Sequence, residues 1–162
     1  MKRRNFLLLS AATITTFIVP MRINANSPKE STIVNKLELS DKEWRLRLTP
    51  EQYHILREEG TERSHTSPLN NEKRQGIYRC VGCDTALFTS DMKYDSGTGW
   101  PSFYTYLPNS LGTKTDFKLF LPRTEYHCVT CGGHHGHVFD DGPKPTGKRY
   151  CNNGLALRFV PS

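Results

Sequence analysis

Five cysteines fall into two matched pairs and a single, and this division constrains the chain more than any other feature. Cys80-Val81-Gly82-Cys83 and Cys128-Val129-Thr130-Cys131 are both Cys-x-x-Cys. Each sits where an expected strand ends in a Gly-containing turn. Such a knuckle aims two thiolates at one point, and two knuckles complete a tetrahedral four-thiolate zinc site. The pairs stand further apart than in compact zinc ribbons, so an ion there would tie distant parts of a sheet together. Zinc-finger peptides gain roughly 10–16 kcal/mol of apparent binding energy from such a site. Two other pairings compete: a pair of disulfides in an oxidising compartment, and a thioredoxin-like redox pair, which needs a strand–helix–strand context that the sequence does not offer.

Cys151 is the remainder. A lone cysteine is commonly an inert small hydrophobe. Against that, Arg149 lies two residues before it, on the same face of an extended strand, with Lys148 close by. Positive charge favours thiolate over thiol. Local charge alone leaves the two readings balanced. The histidines tilt the balance: His134, His135 and His137 follow the second knuckle, across Gly132–Gly136. A second metal site or surface histidines would also account for them. His134 and His137 in one pocket, however, would add a proton donor near neutral pH. A thiolate nucleophile and a proton donor are the minimum set for cleaving a polar S–O bond.

The 162 residues suit one domain, and 36% hydrophobic with 23% charged residues is ordinary for a globular chain. The net charge of +6 points towards nucleic acid only until its location is noted. Lys2, Arg3, Arg4 and Arg22 lie in the first 25 residues, which contain no acid; without them 18 basic residues face 16 acidic ones, or +2. No basic block or basic–aromatic stripe remains, which argues against nucleic-acid binding. The same N-terminus has the three-part layout of a signal peptide over residues 1–25. Met1–Arg4 is positive, Phe6–Val19 is apolar, and Ile23-Asn24-Ala25 offers a small-residue cleavage site before Asn26. The apolar run is short for a membrane span, which takes roughly 20 residues. Arg3-Arg4-Asn5-Phe6-Leu7 resembles a twin-arginine export signal, a route that carries folded proteins. No cysteine follows the run, which argues against a lipid anchor. The expectation is export to a periplasm, with no stable membrane association once the signal is cleaved.

Residues 26–39 read as a flexible leader, and 40–162 as the folded domain. Ser40-Asp41-Lys42-Glu43 is a capping-box pattern that starts a short helix with Trp44 inward. Thr49-Pro50-Glu51-Gln52 repeats it for a helix carrying Tyr53, Ile55 and Leu56 and ending near Gly60. Residues 63–75 form a polar loop. Beyond it, short apolar runs between turn residues predict strands at Ile77–Cys80, Ala86–Phe88, Phe117–Leu121, Glu125–Cys128, His137–Phe139, Lys148–Cys151 and Leu155–Val160. The fold class is mainly β, antiparallel, with short N-terminal helices.

Across residues 40–160 the chain resembles the B-type methionine sulfoxide reductases. The matching stretches include Glu43-Trp44, Leu48–Tyr53, Gly60–Arg63, Tyr78-Arg79-Cys80 with Cys83, Ser96–Phe103, His134–Pro143, Arg149-Tyr150-Cys151, Asn153 and Leu157-Arg158-Phe159. The resemblance implies two antiparallel sheets (a β-tent), a structural zinc ion away from the chemistry, and the R epimer of methionine sulfoxide in oxidised proteins as substrate. It implies Cys151 as nucleophile, Trp100 as the wall that receives the substrate's methyl group, and Phe159 as a further apolar wall. His134 and His137 would bind or protonate the sulfoxide oxygen, and Arg149 and Asn153 would orient and polarise the centre. Many members carry a resolving cysteine where this chain has Thr98. With four cysteines assigned to zinc, Cys151 would act alone: its sulfenic acid would be reduced by a thioredoxin- or glutaredoxin-like protein or a small thiol. His135 stands in place of a common Leu and Gly154 in place of a common Ser. Thr66–Asn70 is similar to the form in cyanobacterial and plastid members, and for a cyanobacterial chain the alternative destination to the periplasm is the thylakoid lumen. Two functions of another kind remain: an exported, non-catalytic zinc-binding interaction module, and a thiol–disulfide oxidoreductase using one Cys-x-x-Cys pair.

Overall fold

The computed structural model describes residues 35–118 and 121–162. The expected signal peptide lies outside them. Two short helices come first among the described residues. Helix α1 (Asp41–Arg47) starts at a complete capping box: the Ser40 hydroxyl accepts from Glu43 N–H and the Glu43 carboxylate accepts from Ser40 N–H. Helix α2 (Pro50–Glu58) repeats the device with Thr49 and Gln52. Trp44 is buried on α1; Tyr53, Ile55 and Leu56 are buried on α2. Helix α2 ends one residue earlier than its glycine suggests, because Glu59 itself takes the left-handed conformation, φ 55°. A single-turn 3-10 helix, Pro68–Asn71, breaks the polar loop.

Among the described residues nine strands form two antiparallel sheets. The smaller has the order β2 (Ala86–Thr89), β1 (Gly76–Cys80), β9 (Leu157–Pro161). The larger runs β3 (Lys93–Tyr94), β4 (Ser102–Phe103), β8 (Arg149–Asn152), β7 (His134–Phe139), β6 (Arg123–Cys128), β5 (Leu111–Asp116). The sheets meet through aromatic rings. Phe103 of the large sheet stacks on Phe88 of the small one, centroids 4.0 Å apart, and meets Tyr78 edge-on at 5.0 Å. All three are fully buried. Such pairs contribute about 0.5–1.5 kcal/mol each beyond area burial.

Two expectations need correction. The strand expected at Phe117–Leu121 is not there: the chain pairs earlier, at β5, while Phe117 and Leu121 are exposed and in no strand; Leu119 and Phe120 lie outside the described residues. Strand β5 is the sheet's edge, so Thr113, Lys114 and Thr115 face solvent and its sequence is Leu-Gly-Thr-Lys-Thr-Asp. An apolar-run criterion misses strands of this kind. The leader also docks at its end. Leu37 N–H donates to Thr130 O at 2.7 Å, and Leu37 and Leu39 pack on the core.

Candidate active site and metal centre

The two Cys-x-x-Cys knuckles close in the same way. The residue four after the first cysteine of each pair takes a left-handed conformation (Asp84, φ 64°; Gly132, φ 68°) and returns its N–H to that cysteine's carbonyl at 2.8 Å. The four sulfurs of Cys80, Cys83, Cys128 and Cys131 lie within 4.8 Å of one another, the closest pairs at 3.5 and 3.6 Å. Four thiolates each about 2.3 Å from one ion would stand about 3.8 Å apart, so the cluster fits a tetrahedral metal. Cys80 ends β1 and Cys128 ends β6, so the centre joins the two sheets. Helix α2 lies over both knuckles: Leu56 packs against Gly82 and Gly133, and Arg57 Nη1 donates to Cys131 O at 2.9 Å. Thr85 Oγ1 lies 3.1 Å from Cys83 Sγ and donates to Thr130 Oγ1, which links the two turns.

Cys151 is elsewhere, half-buried on β8. Directly paired residues of antiparallel strands share a face. The register Ser102–Cys151–His137–Glu125 therefore lines four side chains across the large sheet. A cleft of about 120 Å³ opens over this row, lined by Thr61, Trp100, Arg123, His137, Phe139 and Cys151 with Gly136, Asn152 and Asn153. Gly136 permits the arrangement. A Cβ on it would lie 1.9 Å from Cys151 O, so the His-Gly-His spacing is what lets β7 run against the Cys151 backbone.

Burial pushes the Cys151 thiol pKa up. The Arg149 charge and hydrogen bonds from Thr98 and Arg149 act against that rise without overcoming it. The lowered pKa expected from nearby positive charge is thus corrected: Arg149 pulls in the expected direction, but desolvation is larger. The guanidinium is fixed between the Phe139 ring, 4.2 Å from its centroid, and Asp141, which it grips with two bonds of 2.8 Å.

His137 faces the cleft, with Nε2 2.7 Å from Asp116 Oδ2. Asp116 also accepts from Lys118 N–H at 2.8 Å and Arg123 Nη2 at 2.7 Å. These three donors, Lys118 N–H first, hold its carboxyl well below the usual carboxylate range. His134 is not at the cleft surface. It is buried behind His137, ring centroids 5.5 Å apart, with Nδ1 3.0 Å from Glu125 Oε1 but off the line of a hydrogen bond. Desolvation lowers its pKa more than Glu125 raises it. His135 points the other way, fully buried and stacked on Tyr126; burial brings its pKa down to about 4.

Asn153 lines the cleft, but both ends of its amide are engaged: Oδ1 accepts from Glu62 N–H at 3.0 Å and Nδ2 donates to His135 O at 3.0 Å. Trp100 is anchored by its indole N–H, which donates to Glu62 O at 3.1 Å. Phe159 is not part of the cleft. It sits on β9 in the small sheet, its ring 4.9 Å from Tyr78 and under Arg74. The further apolar wall that the resemblance implied for Phe159 is filled by Phe139, which lines the cleft with Trp100 and stood in the sequence only within an expected strand and the matching His134–Pro143 stretch. Glu62 was missed altogether. Its backbone holds Trp100 and Asn153 while its buried carboxylate accepts the N–H groups of Gly154 and Leu155. Burial raises its pKa, and those two bonds pull the other way. Only its place in the Gly60–Arg63 stretch hinted at such a role. Asp116 and Arg123 carried no sequence signal, being separated from the histidines until β5, β6 and β7 pair.

The SelR domain family model matches residues 48–161. The chain is 51% identical over 148 residues to the chloroplastic peptide methionine sulfoxide reductase B1 of Arabidopsis thaliana, covering 88% of this chain and 73% of that protein. It is 53% identical over 127 residues to peptide methionine sulfoxide reductase MsrB of Agrobacterium fabrum, covering 78% and 94%. The MsrB of Methanosarcina mazei is 50% identical over 127 residues, covering 78% and 91%. A lone thiol in one cleft with a tryptophan, a four-cysteine cluster that joins two sheets, and this identity along nearly the whole domain lead to one assignment: the chain belongs to the SelR-domain family of B-type peptide methionine sulfoxide reductases.

Proposed function

We propose that the chain reduces the R epimer of methionine sulfoxide in oxidised proteins, with Cys151 as the only redox cysteine. The observation that carries this reading is the segregation of thiols: four sulfurs gathered in one cluster, and a fifth alone on the floor of a cleft beside Trp100 and His137. The indole face and Phe139 offer the apolar surface that a methyl sulfoxide needs. The Cys151 thiolate attacks the sulfoxide sulfur. A proton from His137 goes to the oxygen, which passes to Cys151 as the S–O bond to methionine breaks. Methionine leaves reduced by two electrons, and Cys151 is left as a sulfenic acid. With Thr98 in place of a second thiol at the cleft, an external thiol attacks the sulfenic sulfur and releases water. A second thiol then displaces Cys151 and leaves as the disulfide. Arg149 stabilises the thiolate; Asn153 and Glu62 hold the cleft's shape rather than touch substrate.

The metal is read as zinc, bound by Cys80, Cys83, Cys128 and Cys131, because four clustered thiolates suit a soft-tolerant tetrahedral ion. When bound it supplies a crosslink and no step at the cleft. Residues 1–25 are read as an export signal of twin-arginine type, supported by the Arg3-Arg4-Asn5-Phe6-Leu7 pattern. Among the described residues no helix is long and apolar enough to cross a membrane.

The test is turnover of dabsyl-methionine-R-sulfoxide and its S epimer with dithiothreitol. The expected result is turnover of R alone, lost in Cys151→Ser, with dimedone labelling Cys151 after one equivalent of substrate without reductant. A metal-loaded, folded protein that turns over neither epimer, or a Cys151→Ser variant that remains active, refutes the proposal. Intact mass of the protein recovered after export gives the cleavage site.

A further inference from the structure

We propose that Asp116 is a positioning residue for the proton donor: it fixes which nitrogen of His137 carries the transferable proton. The inference rests on the reductase reading above and adds a residue to it. Asp116 comes from β5, at the far edge of the large sheet and two strands away from His137. It reaches the ring because the edge strand's last residue pairs with Arg123, the first residue of β6.

The geometry sets the chemistry. An ionised carboxylate only accepts hydrogen bonds. Asp116 is held ionised by the Lys118 N–H and the Arg123 guanidinium, and its remaining donor is His137 Nε2 at 2.7 Å. Nε2 must therefore carry a hydrogen in both charge states of the ring. Nδ1 is left as the only atom at which His137 gains a proton or passes one to a sulfoxide oxygen. After transfer, the neutral ring is already in the tautomer that keeps its bond to Asp116, so no ring flip is needed. A carboxylate that locks an imidazole tautomer is a recurrent catalytic device, and here the carboxylate is itself locked by two further donors. The other groups around His137 do not compete for Nε2. Cys151 stands across from it on β8 and Glu125 across from it on β6. Glu125 is paired with Lys114 at 3.0 Å and lies beside His134. Arg123 is a cation engaged with Asp116 and offers no acceptor.

Asp116→Asn tests this. Its amide can turn an N–H towards Nε2 and select the opposite tautomer. The expected result is a fall of about 100-fold in kcat for the R sulfoxide, the range for loss of general acid catalysis, with little change in KM. The rate of Cys151 alkylation by iodoacetamide should be unchanged, because the nucleophile is untouched. Asp116→Glu should recover part of kcat, since it restores an acceptor. A second measurement needs no variant: long-range 15N–1H correlation on the native, metal-loaded protein should show the hydrogen of the neutral His137 ring on Nε2. A native ring in the Nδ1–H form, or an Asp116→Asn enzyme with kcat within twofold of native, overturns the inference. Wild-type turnover that vanishes in Cys151→Ser while either result holds would sink this role for Asp116 and leave the reductase reading standing; a wild type without turnover sinks the reading itself.

Discussion

Cys151 is held between two opposing influences, and their balance can be measured. Burial raises its pKa; Arg149 and Thr98 lower it. The iodoacetamide alkylation profile of the free enzyme should therefore have its midpoint above the value of an exposed thiol. Arg149→Met should move that midpoint further up and slow alkylation at pH 7.5 several-fold. A midpoint that falls in the variant would show that Arg149 does not act on the thiol. Gly136 offers a second residue-level prediction. Gly136→Ala places a methyl group against Cys151 O, which should cost about 2–3 kcal/mol in chemical denaturation and shift the β7–β8 ladder enough to remove most of the activity. Cys151 and Trp100, which line one cleft, and the four clustered cysteines were readable as neighbours because each belongs to a local pattern. Phe159 was not: a strand aromatic gives no sign of which sheet it will enter, and the cleft's wall went to Phe139. Asn153 and His134 lie near the cleft, yet one spends its amide on backbone partners and the other is buried behind His137.

Elements were legible in proportion to how local their causes are. Both helices start at capping boxes written into four consecutive residues, and both form where those boxes stand. Strands β3 and β4 are two residues each, and β5 is a polar edge; all three exist because a neighbouring strand pairs with them, which no local window records. The end of α2 shows the same dependence. Glu59, left-handed at the helix terminus, reaches Lys114 on β5 and Lys118 just beyond it. These two partners bring its pKa from 4.5 down to about 2. A depressed carboxylate contributes stability that is present above its unfolded pKa and is lost as pH falls through its folded one. The contribution should fade between about pH 4.5 and 2, and, because solvent reaches the pair, it should amount to about 1 kcal/mol. Glu59→Gln should lose that amount at pH 7 and show a flatter acid limb in urea titrations at stepped pH. Equal slopes for the two proteins would mean that the α2–β5 bridge adds nothing.

At the scale of the molecule, the four-cysteine cluster brings the small sheet, the large sheet and α2 together at a point. Removing the ion should leave four buried or half-buried thiols to repel or oxidise, and the cost should be several kcal/mol. Metal analysis should find about one tightly held zinc per folded chain. Cys128→Ser should lose the ion, lower Tm by more than 10 °C, and lose activity although no cleft residue has changed. Retained metal and Tm in that variant would refute the four-thiolate centre. The sequence announced this centre more clearly than any other feature, since spacing alone brings each pair together; only the fold could say that it would bind one sheet to the other.

The clasp also sets a ceiling on the conditions in which such a repair protein survives. Sulfur is both the atom it mends in others and the atom that keeps its own sheets joined. Three of the four clasp cysteines are shut inside, while Cys83 is only half covered, so peroxide reaching the scaffold enters through that one thiolate. Below the dose that attacks Cys83, oxidant merely supplies the repair work proposed for Cys151; above it, the workshop loses its frame.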